Sequence, residues 1–130
     1  MALTPKEPAS ERGVVARQQY LELARRVIGD PHLEYDVLYK RFAENDWAAI
    51  KLDEAVALKG LTSGHSPKVV SGILHQSPYL QYHVHQNKVP LPPMSQYVRS
   101  TVMKVLQQVE KAKSLGTQPI KSRKADLEID

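Results

Sequence analysis

Four of the five histidines, His65, His75, His83 and His85, fall within 21 residues of one another. Imidazoles at such density could ligate zinc, with a carboxylate or water completing the shell. The spacing argues otherwise. His83 and His85 are two apart, so on a helix they point in different directions. No Asp or Glu lies between Ala55 and Val109 to complete the site, and nothing resembles H-E-x-x-H. The histidines read as surface or interface groups that gain charge toward pH ~6.5. Asp46, Asp53 and Glu54 could in principle do acid–base work. No nucleophile or glycine-rich phosphate loop accompanies them, so Asp46 reads as a helix cap and the Asp53–Glu54 pair as solvated or ion-paired. No catalytic set, metal centre or cofactor is expected, and the chain reads as non-enzymatic.

The chemistry left is attraction of anions. From Ala55 to Ala125 there are ten lysines and arginines against one acid, Glu110, although the whole chain carries only +4. Charge of one sign concentrated in one half recruits polyanions. The cations expected on the folded part are Lys59, Lys68, Lys88, Arg99 and Lys104. Lys111, Lys113, Lys121, Arg123 and Lys124 continue the series toward the terminus, where Asp126, Glu128 and Asp130 partly screen it. Among them lie Gln81, Tyr82, His83 and Gln86, side chains able to contact bases or phosphates. DNA is the expected partner, and an acidic protein surface is the alternative.

The elements that must carry these residues are helices. Alternating strand patterns are missing, while 3.6-residue spacing recurs. Ser10 should cap a first helix to Ile28, with Ala16, Tyr20, Leu23, Ala24 and Val27 inward. Asp30-Pro31 should open a second, to Glu44, burying Tyr35, Leu38, Tyr39 and Phe42. A third, 47–61, should bury Ala48, Leu52, Ala55 and Val56, with Trp47 as a hydrophobic anchor. Ser66-Pro67 and Ser77-Pro78 each supply a capping serine and a proline at the first helical position, opening a fourth helix and a fifth, 79–86. Prolines 90, 92 and 93 keep 87–93 from being helical throughout. A sixth, 94–114, should bury Met94, Val98, Thr101, Val102, Val105 and Val109. The fold class is therefore all-α: a compact bundle of five or six short helices with a helix-turn-helix-like centre. Residues 1–9 read as a flexible leader, 10–115 as the helical domain, and 116–130 as a disordered charged tail.

The segment Gly64-His65-Ser66, then Val70, Leu74 and Ser77-Pro78, resembles the helix-turn-helix of LuxR-type regulators and the related sigma-factor module. There an apolar helix, G-x-S-x-x-x-[IV] and a leucine precede an S-P that opens the recognition helix. The resemblance implies a helix from Tyr79 to Gln86 lying in the major groove. A longer stretch, Leu52 to Gln108, resembles small helical modules found beside relaxases and primases of mobile plasmids. It rests on Asp53, Val56, Ala57, Gly64, Ser66, Val70, Ile73, Leu74, Ser77 and Pro78, then Tyr97-Val98. That resemblance implies an accessory of DNA processing without nuclease chemistry.

With no cysteine the chain forms no disulfide, which suits the cytoplasm. Met1 to Arg12 is polar and does not read as a secretory signal. No apolar run nears the roughly 20 residues that span a bilayer, so no membrane association is expected. Oligomeric state is not legible.

Overall fold

Four of the helices begin where a side chain takes up an orphan backbone N–H. A computed structural model describes residues 4–116, with side chains as far as Lys113. Helix α1 spans Glu11–Ile28, and the Ser10 hydroxyl accepts from Gly13 N at 3.0 Å. Gly29 ends it in the left-handed region, at φ 85°, where a side chain would be strained. Helix α2 is Tyr35–Phe42, shorter than expected. The Asp30 carboxylate accepts from His32 N at 3.0 Å and holds a local turn, so Pro31 opens no helix. Helix α3 is Asp46–Thr62, and its cap is Asn45, whose side-chain oxygen accepts from Ala48 N, rather than Asp46. Helices α4, Pro67–Leu74, and α5, Pro78–His85, start at their serine-proline pairs. Ser66 Oγ accepts from Val69 N and Ser77 Oγ from Leu80 N. Helix α6 runs Leu91–Gly116, taking Pro92 and Pro93 into its first turn, where their missing N–H groups leave no bond unmade.

The protein is an all-helical bundle of six helices, without strands among the described residues. The helices are not uniformly short: α1, α3 and α6 have 18, 17 and 26 residues. Helix α3 is the centre, packing on α1, α4 and α6, while α5 packs among α2, α3 and α6. The core joins Tyr20, Leu23, Leu38, Tyr39, Val56, Val70, Leu74, Leu80 and the valines of α6. Residues 4–10 are irregular, and Pro5 among them is buried. The expected tail lies outside the described residues except for Gly116, the last residue of α6. No helix among the described residues is long and apolar enough to cross a membrane.

The interior has one feature that inverts a sequence expectation. Asp53 is neither solvated nor ion-paired: it is completely buried. The Tyr20 hydroxyl donates to its Oδ1 at 2.6 Å, and the Tyr97 hydroxyl donates to its Oδ2 at 2.7 Å. The buried Ser77 hydroxyl also lies within reach of the carboxyl and favours its charged form. One side chain of α3 therefore ties together α1, α6 and the start of α5.

Burial is the leading influence on this carboxyl and pushes it up to about 7, against the hydrogen bonds from Tyr20 and Tyr97 and the nearby Ser77 hydroxyl. An unfolded aspartate titrates near ~3.9. The fold thus favours the protonated form. Its contribution to stability is complete below about pH 4 and is lost as pH rises through about 7. Between pH 5 and 8 the wild type should lose about 2–3 kcal/mol of unfolding free energy relative to Asp53→Asn, which cannot titrate. Urea unfolding of both proteins at the two pH values measures this, and parallel pH dependences would contradict it.

Candidate nucleic-acid interface

The sequence nominated nine residues, and the fold divides them. Gln81, on the expected recognition helix, is 8% exposed. Its amide nitrogen donates to His75 O at 2.7 Å, and its amide oxygen accepts from Arg17 at 3.3 Å. Arg17 also donates to Gln76 at 3.0 Å and lies over the Tyr35 ring at 4.3 Å. Gln81 is therefore a structural fastener between α1 and the α4–α5 turn, and is withdrawn from any base edge. Tyr82 is half-buried and packs on the core. His83 sits edge-on to Tyr79, with ring centroids 4.5 Å apart, and its Nδ1 accepts from the Asn87 amide at 3.0 Å. That bond leaves the proton of the neutral ring on Nε2. Nε2 is buried and has no hydrogen-bond partner among the described residues. The Asp46 carboxylate, 3.5 Å away, exerts attraction without hydrogen-bond geometry. Gln86 is exposed, with its amide 3.4 Å from the Tyr39 hydroxyl.

No residue from Pro78 to His85 is fully exposed, because α2, α3 and α6 close over α5. Leu80 is 2% exposed and Val84 half-buried, so these residues form no exposed apolar patch either. The helix-turn-helix resemblance gives the right helix starts and the wrong exposure. A recognition helix needs one free face, and α5 offers only partly covered side chains beside the buried Pro78, Leu80 and Gln81.

The cations remain outside. Lys59, Lys68, Lys88, Arg99 and Lys104 are all exposed. They are not equivalent. Lys104 binds Glu54 at 2.9 Å, and Lys51 approaches the same carboxylate at 3.6 Å, so Glu54 is ion-paired as expected. Arg99 donates to Gln96 at 2.9 Å on its own helix. Lys88 stands in the α5–α6 connection with φ 58°. Lys59 lies in the last turn of α3 and Lys68 in the first turn of α4.

Helix α6 ends at that same place. Leu58 and Thr62 of α3 line a surface hollow of about 480 Å³ with Gln108, Val109, Ala112 and Lys113. The chain passes from Thr62 to Pro67 in four residues. The ends of α3 and α6 therefore meet, bringing Lys113 beside the turn that carries Lys59. Lys111 stands on the same last turns of α6, with Glu110 their one acid, and Lys68 opens α4 just beyond the short connection from α3. None of the four lysines has an ion-pair partner among the described residues. Lys121, Arg123 and Lys124 lie outside the described residues. Reading residue by residue overlooked this convergence. The signal was present in the helix ends, where Lys59 and Lys113 each precede a stop.

Two other expectations are corrected. Trp47 is no anchor: it is 73% exposed, with the Lys51 ammonium 4.7 Å from its ring centroid. His75 is held by Ser71 O at 2.7 Å and Ser95 Oγ at 3.0 Å, and His85 is half-buried, shifted down by burial and then by Lys6, Arg17 and Lys88. No cluster of three or more metal-ligating side chains occurs among the described residues.

No protein family, curated protein or solved structure matches this chain. Gln81→Ala should destabilise the fold by about 1–2 kcal/mol, because it orphans groups of His75 and Arg17. It should leave DNA affinity unchanged. Urea unfolding and an electrophoretic shift check the two halves, and weakened DNA binding at intact fold would restore Gln81 as a contact.

Proposed function

We propose that the protein is a non-enzymatic helical module that associates with DNA through the lysine end of α3, α4 and α6. The supporting observation is the meeting of the ends of α3 and α6, which brings Lys59, Lys111 and Lys113 to one region with Lys68 opening α4 beside it, all four exposed and without acid partners among the described residues. Unpaired lysines release condensed counterions when they meet phosphates, and that release drives binding without regard to sequence. Base reading by Gln81, Tyr82 and His83 drops out of the proposal. Gln86 alone of that set keeps an exposed side chain. If the sequence resemblance of 52–108 to modules beside plasmid relaxases and primases holds, the role would be that of an accessory in DNA mobilisation, in the cytoplasm.

The signature is salt dependence. Each neutralised phosphate contributes about −0.9 to the slope of log K against log salt. Replacing Lys59, Lys68, Lys111 and Lys113 with glutamine should make the slope shallower by about 3 to 4. Lys104→Gln should change it little, because Glu54 already neutralises that ammonium. Fluorescence anisotropy of a labelled random duplex across a salt series measures both. Absence of binding at low salt, or a slope indifferent to the four lysines, would refute the proposal.

A further inference from the structure

A shallow groove runs between the first half of α1 and α4. Its lining is Arg12, Val15, Ala16 and Gln19 from one side and Lys68, Val69 and Gly72 from the other, around about 730 Å³. Val15 is 53% and Val69 41% exposed, so two aliphatic side chains face water across a floor of small residues. Arg12 and Lys68 are exposed at the rim, and no acid lines the groove.

Gly72 is the feature without an internal reason. It sits inside α4 with no positive φ, so no unusual backbone requires a glycine. A Cβ there would meet no atom within 4 Å, so close packing does not require one either. Glycine within a helix is destabilising relative to alanine. Its remaining consequence is an open floor on which another chain can approach the α4 backbone. By contrast, a Cβ on Gly60 of α3 would stand 3.1 Å from Val70, so that glycine is explained by packing within the fold.

We infer that the α1–α4 groove is a docking site for an acidic amphipathic helix of a partner protein. One apolar face, with aliphatic residues at i, i+3 and i+4, would lie over Gly72 between Val15 and Val69. Flanking carboxylates would pair with Arg12 and Lys68. Charge complementarity selects this occupant: a rim with two cations and no acid favours a negative helix and opposes a basic one. The groove borders the lysine end through Lys68, but the inference stands independently of DNA binding.

The test uses a labelled amphipathic peptide of leucines at helical spacing with glutamate elsewhere, and a counterpart with lysine in place of glutamate. Anisotropy should show saturable binding of the glutamate peptide, at least about tenfold tighter than the lysine peptide. Gly72→Leu should fill the floor, lower affinity about tenfold or more, and raise the thermal midpoint. Gly72→Ala should raise the midpoint with a smaller effect on binding, which separates occlusion from misfolding. Arg12→Gln with Lys68→Gln should weaken the glutamate peptide several-fold. No binding of that peptide at roughly 1 mM, or binding indifferent to Gly72→Leu, would overturn the inference. Self-association in sedimentation that Gly72→Leu abolishes would also overturn it, by assigning the groove to a second copy of the chain.

Discussion

A carboxylate inside an apolar core has to be answered by donors, and the arrangement of this bundle follows from how Asp53 is answered. Its two oxygens receive Tyr20 from α1 and Tyr97 from α6, and Ser77 reaches it from the start of α5. Removing a donor leaves a buried polar group unsatisfied, whereas an apolar contact of the same size can slide or repack. Asp53 therefore fixes the rotation of three helices about α3. The surrounding residues of α3 make room for it. Ala49, Ala57 and Gly60 share its face at helical spacing, so neighbouring helices can approach closely enough for the hydroxyls to reach.

That constraint also decides which surface is left for function. Drawing Ser77 inward pulls the start of α5 into the core, and Leu80 and Gln81 follow it. The helix that a reader of sequence would send into a DNA groove becomes a packed element among α2, α3 and α6. The lysines are displaced outward by the same packing, since the apolar faces of α3, α4 and α6 all turn toward the centre. Charge accumulates where those helices end. In the proposed reading, attraction to a polyanion falls to the lysines at these helix ends, which would position phosphates without reading bases.

Much of the scaffold was legible because capping is local. Ser10, Ser66 and Ser77 announce their helices through a bond to a backbone N–H three residues on. The inward stripe of α6 was legible as a periodicity, and all six of its expected residues are buried. Pro31 misled because the Asp30 side chain closes a turn instead of a helix. The site was harder to read because its determinants are tertiary. Asp53 finds its partners 33 and 44 residues away, and a lone aspartate in a helix carries no mark of that. Its face did carry one, since Ala49, Asp53, Ala57 and Gly60 form a small-residue stripe beside Leu52 and Val56. Trp47 shows the converse: a large aromatic at a helix start, left facing water with the Lys51 ammonium over its ring.

The placement of a polyanion is therefore the claim on which the functional account turns. Backbone amide shifts of the isotopically labelled protein, followed as a short random duplex is added, test it directly. The account places the perturbations on residues 59–68 and 108–113, with 79–85 unmoved. Perturbations centred on 79–85, with the lysine end silent, would contradict it.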